Sequence, residues 1–384
     1  MENRALQRFN ESAAALGQRF IRGEWLQMIV GVALVVAPLG IASAQGSCKG
    51  RPAEGTPACD TTPAKAPFAP TGWKTVALDH FSMQTVDYKK EAAYYATLMN
   101  WKVRSDDGKQ AVLDIGDIGT VVIRGGYVAP PPPAPRTPTA ADSAAGRAGR
   151  GGGRGGPRTP VEAVWDSFSW QIAPWDAKKV EAELKKRGLN PVADNDGKGY
   201  ESFHVKDPDG FDVQISNGGY AKTRKASPAS AALPAPAPFE ATEWKTVWLD
   251  HISFGVTNYK ESAAWYQALL GWMPQGDEGS QNETWICDDC GNVIIRGGNP
   301  MNTARPMPAV RRASMGHISF GISPFDYAKV KADLDKRGLT GSEDTGTPMK
   351  IDDPKALYKS YHTTTPQGFN LQISNSTKAN RTVR

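Results

Sequence analysis

Two copies of one stretch decide the fold of this chain: WKTVWLDHISFGVTNYKESAAWYQALLGW at residues 244–272 and WKTVALDHFSMQTVDYKKEAAYYATLMNW at residues 73–101. In each copy, residues that alternate between large apolar and small or polar types predict a β-strand, and the apolar spacing that follows predicts an α-helix. In the later copy Asn258 can cap that helix, and Gly271 ends it after about Leu270. The repeated stretch is therefore a strand followed directly by a helix.

A second repeated pair of stretches extends this pattern. GHISFGI from Gly316 matches DSFSWQI from Asp166, and TPQGFNLQISN at 365–375 matches DPDGFDVQISN at 207–217. Short β-runs divided by Gly, Asp and Pro follow each predicted helix. The sequence therefore predicts an α+β protein of four βαβββ modules in the order A-B-A′-B′, with each A-B pair about one domain long.

The domain boundaries follow from composition. With 384 residues the chain is long enough for two domains. Proline-rich and Gly/Arg-rich residues cannot bury an apolar core, so we expect them to form flexible linkers. The predicted organisation is a first domain at 71–220 that includes a linker at 128–160, a second linker at 221–242, a second domain at 243–377, and a tail at 378–384.

The chain begins with a predicted signal peptide at residues 1–44. An apolar run from Met28 to Ile41 ends in Ala42-Ser43-Ala44, which is typical of an export signal with its cleavage site. The run is short for a membrane span and contains a proline, so cleavage is favoured over the alternative of an uncleaved anchor. We expect a periplasmic or secreted protein with no stable membrane span after cleavage, whose mature chain starts with a Pro/Thr-rich stretch at 45–70.

The charge pattern argues against a nucleic-acid partner. The net charge is +5, and the excess positive charge lies in residues 1–44 and in the Arg-rich part of the 128–160 linker. A nucleic-acid-binding domain would carry its basic patch on a folded surface. The linker sequence RAGRGGGRGGPR is similar to RNA-binding tracts, but in an exported protein a solvated linker is the better interpretation. We therefore expect a small-molecule substrate or ligand and no nucleic acid.

Export would place the four cysteines in an oxidising compartment. Cys48 and Cys59 flank a small loop in the Pro/Thr-rich stretch, where a disulfide is favoured over a metal site. Cys287 and Cys290 form a C-x-x-C beside a predicted strand, without the βαβ context of a redox motif. We interpret this pair as a disulfide-clipped turn, with redox or zinc chemistry as the alternatives.

Strand alternation places two of the five histidines on open faces of the predicted sheets. His251 and His317 lie opposite runs of large apolar residues that must pack beneath the helices. They share their faces with small residues that leave room for a ligand, and Ser253 and Ser319 are therefore candidate substrate-binding residues. By the same alternation, Leu249 shares the face of His251. A histidine packed within the core is the alternative for both positions.

The stretches LDHISFGVTNYKESAAWYQALLGW and ESFHVKDPDGFDVQIS resemble the vicinal oxygen chelate superfamily, which includes glyoxalase I, bleomycin and fosfomycin resistance proteins and extradiol dioxygenases. The resemblance covers about 70–220 and 243–377 and is more specific for fold than for chemistry. It implies that paired modules curl around a cavity, where a divalent metal chelates two neighbouring oxygens of a substrate. The four-module layout is similar to that of extradiol dioxygenases, in which only the second pair is catalytic.

The resemblance implies His251, His317 and Gln372 as metal ligands, taken from the two first strands and the last strand of domain 2. Dioxygenases of the family carry Glu at the position of Gln372, and the neutral amide is a poorer ligand. The implied metal is Fe, Mn, Zn or Ni, unless the glutamine abolishes binding. A loop carboxylate is an alternative ligand, and the candidates are Glu343, Asp344, Asp352 and Asp353.

Two further residues of domain 2 have candidate roles. His362 takes the position at which the family's dioxygenases have a substrate-contacting Tyr, which implies a catalytic general acid or base. A strand-surface histidine bonded to Thr364 or to solvent is the alternative, and the neighbouring Tyr361 is expected in the core. Arg296 could bind an anionic substrate, although its repeat copy Arg124 makes a structural role an equal alternative.

Domain 1 carries a degenerate version of this site. His80 is retained, but Ser167 replaces the second histidine and Gln214 again stands in place of Glu. One imidazole, a hydroxyl and an amide will not hold a divalent metal tightly, and His204 lacks an obvious set of partners. We therefore expect a structural or ligand-binding role for this domain.

Three functions are compatible with these residues. The first is a metal-dependent enzyme that acts through domain 2 on a small substrate with vicinal oxygens, such as a dioxygenase, lyase or isomerase. The second is a metal-free protein that sequesters a small molecule in its cavities. The third is a structural or interaction module of the cell envelope. The sequence favours them in that order.

Overall fold

The computed structural model describes residues 61–128, 163–219, 231–300 and 307–381. The predicted signal peptide, the cysteines Cys48 and Cys59 with most of the Pro/Thr-rich stretch, and the Gly/Arg-rich tract lie outside these residues. Within the described ranges, no helix combines the length and the apolar character needed to cross a membrane.

Domain 1 is built from eight strands and two helices. In chain order they are β1 (Lys74–Thr85), α1 (Tyr88–Leu98), β2 (Lys102–Asp106), β3 (Gln110–Ile115), β4 (Gly119–Arg124), β5 (Ala163–Ala173), α2 (Ala177–Lys186), β6 (Val192–Asn195), β7 (Glu201–Lys206) and β8 (Asp212–Ser216). The strands form one sheet in the order β2-β3-β4-β1-β5-β8-β7-β6. The two first strands, β1 and β5, meet antiparallel at its centre, and each pairs in parallel with the last strand of its own module.

Domain 2 repeats this plan. Its elements are β9 (Lys245–Asn258), α3 (Tyr259–Leu270), β10 (Met273–Asp277), β11 (Gln281–Cys287), β12 (Cys290–Gly298), β13 (Ser314–Ser323), α4 (Tyr327–Lys336), β14 (Ser342–Asp344), β15 (Ser360–Thr364) and β16 (Asn370–Ser374). The sheet order is β10-β11-β12-β9-β13-β16-β15-β14, again with the two first strands antiparallel at the centre. The predicted α+β fold of four βαβββ modules in two domains is confirmed.

The ends of the third module's helix lie where the sequence predicts them. The side chain of Asn258 accepts hydrogen bonds from the backbone N–H groups of Lys260 and Glu261, and Gly271 follows the last turn with a φ of 69°. This left-handed conformation favours glycine. A Cβ atom at Gly271 would also lie 2.1 Å from the carbonyl oxygen of Trp73, so the glycine both ends the helix and admits the first residues of domain 1.

The helices fall into two classes by burial. α1 and α3 bury almost all of their side chains, whereas α2 and α4 bury two residues each. Aromatic contacts explain the difference, because the ring centroid of Tyr266 in α3 lies 5.9 Å from that of Phe168 in domain 1. Likewise Trp101, just after α1, lies 5.2 Å from Phe320 in domain 2. α1 and α3 therefore pack against the sheet of the opposite domain.

A short segment before each domain binds the end of the other domain's helix. The Thr71 hydroxyl donates to the carbonyl of Leu269 over 2.7 Å, and the Thr242 hydroxyl donates to the carbonyl of Leu98 over 2.6 Å. The repeat therefore begins earlier than the tryptophans first identified, as PFAPTGWKTV at 67–76 and PFEATEWKTV at 238–247. The described part of the predicted 221–242 linker is thus packed against α1, and the predicted tail begins with a short helix, α5 (Lys378–Arg381).

Candidate functional site

A β-bulge in the first strand of domain 2 shapes the candidate site. On β9, His251 pairs with Ser319 while Leu249 pairs with Phe320, so Asp250 is an extra residue without a partner position on β13. A bulge of this kind interrupts the strict alternation of side chains. The prediction that Leu249 shares the face of His251 is therefore wrong: Leu249 is fully buried in the core, and Asp250 turns to the side of the histidine.

Asp250 orients the first histidine. Its Oδ2 lies 3.0 Å from His251 Nδ1 and accepts hydrogen bonds of 3.0 Å from both the Ser319 and the Tyr358 hydroxyls. The carboxylate is completely buried, so we assign the proton of His251 to Nδ1 and leave the lone pair on Nε2. Asp250 was not among the residues predicted for the site. The signal was present, because the dipeptide Asp-His recurs in LDH at 78–80 and 249–251.

The two histidines of domain 2 meet tip to tip. The Nε2 atoms of His251 and His317 are 3.1 Å apart, and the rings are nearly perpendicular. Burial lowers the pKa of His317 to about 2, with repulsion from the neighbouring histidines and Arg296 acting in the same direction. His317 is therefore neutral at ordinary pH and has an imidazole lone pair. Two nitrogens bound to one ion at about 2.1 Å would be about 3.0 Å apart at an octahedral angle and about 3.4 Å apart at a tetrahedral angle, and the observed separation lies between these values.

Gln372 presents a buried oxygen. Its Nε2 donates to Ser360 Oγ at 2.8 Å, to Tyr358 OH at 3.0 Å and to Asp344 Oδ2 at 3.3 Å. Its Oε1 is buried and accepts no hydrogen bond from the residues that the structure describes. A buried carbonyl oxygen without a partner is costly, and a cation would satisfy it. Together with the histidine pair, Gln372 Oε1 therefore fits a divalent ion held by two nitrogens and one oxygen.

Of the four acidic candidates, Asp344 is bonded to the predicted site residues. Its Oδ2 lies 3.2 Å from His362 Nε2, and its Oδ1 accepts a hydrogen bond of 2.7 Å from the backbone N–H of Gly346. The hydrogen bond from His362 is the largest of the effects that lower the pKa of Asp344 to about 2. Asp344 is therefore a carboxylate over the whole physiological range.

His362 lies beside the histidine pair. Its ring centroid is 4.9 Å from that of His317, and its Nδ1 lies 2.9 Å from Asn370 Oδ1. The partners are thus Asp344 and Asn370, where the surface alternative named Thr364. Tyr361 is buried in the core, as alternation predicts.

The predicted substrate-binding residues divide by position. Ser253 is buried opposite His317 on the neighbouring strand and so lies beside the histidine pair. The Ser319 hydroxyl is instead engaged with Asp250. Arg296 is exposed, and its positive charge is close enough to act on the pKa of His317. A guanidinium at this position is suited to an anionic group near the histidine pair.

The C-x-x-C motif is a disulfide. Cys287 and Cys290 are joined across the turn between β11 and β12, with their Cα atoms 4.9 Å apart. The bond closes the hairpin whose second strand, β12, pairs with β9 at His251. This arrangement matches the predicted clipped turn.

Domain 1 has most of the same side-chain arrangement but lacks the second histidine. His80 Nδ1 lies 3.2 Å from Asp79, which is again the extra residue of a bulge. Ser167 occupies the place of His317, facing Ser82 across the strand pair. The structure therefore places a single histidine among the positions in domain 1 that correspond to the predicted metal ligands of domain 2.

The glutamine network of domain 1 repeats that of domain 2. Gln214 Nε2 donates to Ser202 Oγ and Tyr200 OH, both at 2.7 Å, and to Asp194 Oδ2 at 3.2 Å. His204 differs, because it forms its shortest bond, 2.7 Å, to Asp212, where domain 2 has Asn370. In the described residues of either domain, no three His, Cys, Asp or Glu side chains are grouped as ligands of one ion.

Solved structures share this architecture. A Mn(II)-bound glyoxalase from Novosphingobium aromaticivorans is similar over 79% of this chain and 82% of its own, with a TM-score of 0.51 and 14% identity. An extradiol ring-cleaving dioxygenase from Brevibacterium fuscum is similar over 83% of this chain and 75% of its own, with a TM-score of 0.50 and 13% identity. For a catechol 2,3-dioxygenase the coverages are 78% and 88%, the TM-score 0.50 and the identity 13%.

The chain has the vicinal oxygen chelate fold. No protein-family model and no curated protein sequence matches it. The resemblance predicted from the sequence is thus confirmed for the fold, in its tandem two-domain form. Within the vicinal oxygen chelate fold, His251 and His317 lie on the two central strands of the domain 2 sheet, where residues from both modules of that domain meet.

Proposed function

We propose that this protein is a divalent-metal-dependent enzyme of the vicinal oxygen chelate type, acting through domain 2 on a small substrate with two neighbouring oxygens. The observation that carries the proposal is the 3.1 Å approach of His251 Nε2 and His317 Nε2. The carboxylate of Asp250 behind His251 supports it, because ligating histidines commonly donate their second N–H to a carboxylate.

Three residues would hold the metal: His251, His317 and Gln372 through its Oε1. When bound, a divalent ion would act as a Lewis acid on the substrate oxygens. Two nitrogens and one neutral oxygen are compatible with Fe, Mn, Zn or Ni, so the ligand set leaves the choice among these open. The glyoxalase among the similar structures is a Mn(II)-bound protein.

His362 and Arg296 have roles that follow from their positions. Both ring nitrogens of His362 face acceptor oxygens, those of Asp344 and Asn370, so the ring can hold a proton at each. Because this ring lies 4.9 Å from that of His317, it can deliver a proton to a substrate oxygen beside the pair. Arg296 would bind the anionic form of the substrate.

The metal content of the full mature chain tests the proposal. We expect about one equivalent per chain by elemental mass spectrometry, lost in the variant His251→Ala/His317→Ala and retained in the matched domain 1 variant His80→Ala. Absence of metal from the unsubstituted protein, even after reconstitution with Fe(II), Mn(II) and Zn(II), would contradict it.

One feature of the site favours a second candidate, a metal-free protein that binds a small molecule. The third ligand position holds a neutral glutamine, and no cluster of three His, Cys, Asp or Glu ligands exists in the part of the chain described. A protein of this kind would bind its ligand with the same affinity before and after treatment with a chelator, whereas the metalloenzyme would lose that binding.

We also propose that the protein is exported and acts outside the cytoplasm on a small molecule. The apolar run at 28–41 with its Ala-Ser-Ala end supports export. N-terminal sequencing of the protein recovered from its native host should find a chain that starts at Gln45. A chain that retains residues 1–44 would contradict cleavage.

A further inference from the structure

The ligand set of domain 2 requires negative charge from groups that are not themselves ligands. His251, His317 and Gln372 are neutral ligands, so a bound divalent ion would keep its full charge in a largely buried site. A buried charge is stable when an opposite charge compensates it. Asp250 provides one carboxylate, bonded to His251. A second carboxylate would complete the balance.

Asp344 is in position to provide it. Its Oδ2 lies 3.3 Å from Gln372 Nε2, on the nitrogen side of the amide whose oxygen is buried without a hydrogen bond. The carboxylate is held firmly, because His362 bonds the same oxygen and the backbone N–H of Gly346 bonds the other.

An acceptor on the nitrogen side determines how the amide is oriented. The carboxylate of Asp344 cannot accept from a carbonyl oxygen, so this contact requires Nε2 to face Asp344 and Oε1 to face away. The contact also polarises the amide and makes its oxygen a better donor to a cation. An orientation in which Oε1 faced Asp344 would place two acceptors against each other.

Rather than a ligand, Asp344 is a positioning residue of the metal site: we propose that it directs Gln372 Oε1 toward the ion and supplies the negative charge that a glutamate ligand would carry. This inference rests on the proposed function, because it assumes that domain 2 binds a divalent metal.

Domain 1 provides a matched control. Asp194 occupies the equivalent place, with its Oδ2 at 3.2 Å from Gln214 Nε2. There, however, Ser167 occupies the position of the second histidine. His204 lies 3.7 Å from Asp194 and forms its shorter contact, 2.7 Å, with Asp212. The two aspartates therefore share a structural contact with their glutamines, and only Asp344 lies beside a histidine pair.

Titration of Mn(II) into the chelator-treated full-length mature protein by calorimetry tests the proposal. We expect Asp344→Asn to weaken Mn(II) affinity by about 10- to 100-fold, as is typical when a group behind a metal ligand is changed. Asp194→Asn should leave it unchanged. Adding Gln372→Glu to Asp344→Asn should restore the affinity, since the charge then returns directly on the ligand.

Thermal unfolding of the metal-free proteins separates folding from binding. A purely structural role would lower the melting temperature of Asp344→Asn and Asp194→Asn alike and leave Mn(II) affinity unaffected, which overturns the proposal. Should Asp344→Asn not fold, Asp344→Glu moves the carboxylate by one methylene, and an unchanged affinity there overturns it as well. If the unsubstituted protein binds none of Mn(II), Fe(II) and Zn(II), the proposed function fails, and this inference fails with it.

Discussion

The two domains share an arrangement of aspartate, histidine and glutamine side chains, but they differ in the residue that faces the shared histidine. Each has an Asp-His pair made by a bulge in its first strand, and each has a glutamine on its last strand that donates to a Ser, a Tyr and an Asp. They differ most at one position of the other central strand, which is Ser167 in domain 1 and His317 in domain 2. The arrangement of aspartate, first histidine and glutamine is therefore common to both domains, and the second histidine is present in domain 2 alone.

The residues around that position differ accordingly. Asp166, before Ser167, forms an ion pair with Arg124 at 2.5 Å, whereas domain 2 has Gly316 there. In domain 2, the positive charge of Arg296 is close enough to His317 to lower the pKa of that histidine.

Introducing a histidine at position 167 should reduce the difference between the two domains more than any other change. We expect Ser167→His to give the protein a second Mn(II) equivalent, measured by calorimetric titration. That site should be at least about 10-fold weaker than the first, because His204 bonds Asp212 and leaves Asp194 less firmly held. In the background of His80→Ala the second equivalent should disappear. A titration that still saturates at one equivalent would show that more than this side chain separates the domains.

A buried acid lies at each of the two places where a helix packs against the opposite domain. Burial raises the pKa of Glu91 on α1 to about 7 and that of Asp207, bonded to Tyr266 of α3, to about 6. A raised pKa means that the folded state binds a proton more tightly than the unfolded state, so stability falls as pH rises from about 4.5 to about 7 for Glu91. We expect Glu91→Gln to increase the free energy of unfolding at pH 8 by about 3 kcal/mol and to have little effect near pH 4.

Urea denaturation at a series of pH values measures this effect. Asp207→Asn is the matched change at the other interface and should produce a smaller rise, complete at about pH 6. Parallel curves for Glu91→Gln and the unsubstituted protein across this range would mean that Glu91 ionises without cost in the folded state.

The smallest effect concerns the ion pair of Arg124 with Asp166 in domain 1. Arg124 and Asp166 are each about 40% exposed, with side-chain exposures of 43% and 39%. We expect Arg124→Ala to change the free energy of unfolding by less than about 1 kcal/mol. Arg104→Ala removes a partner from the nearly buried pair with Asp114 and should cost several times more in the same assay. Equal losses would show that exposure does not govern these pairs.

Much of the fold was predictable because the chain contains the βαβββ module four times. Repeats aligned the modules, and caps such as Asn258 together with a terminal Gly271 marked the helix ends. The pairing of His251 with His317 was predictable for the same reason, since each lies in a first strand with apolar residues on the opposite face. The repeat also supported the interpretation of domain 1 as lacking the second ligand.

Other features depended on contacts between residues distant in sequence. Alternation failed at Leu249, because a bulge is set by how β9 pairs with β13 and not by the composition of β9 alone. Asp344 was one of four acidic residues with nothing to separate them until β14 paired with β15 and brought it to His362 and Gln372. Sequence patterns are local, whereas these positions depend on the register between strands.

By itself, the sequence determined the modules, the helix ends at Asn258 and Gly271, the core faces of the strands away from the bulge at Asp250, and the identity of the two histidines. These features depend on periodicity and on residue chemistry within about 30 positions, and both are present in a single repeat. The tertiary structure decided which acids serve the site, that α1 and α3 pack against the opposite domains, and that Gln372 presents its oxygen. Those outcomes arise where strands and helices from different modules meet, since only there do burial and hydrogen bonding select one side-chain arrangement.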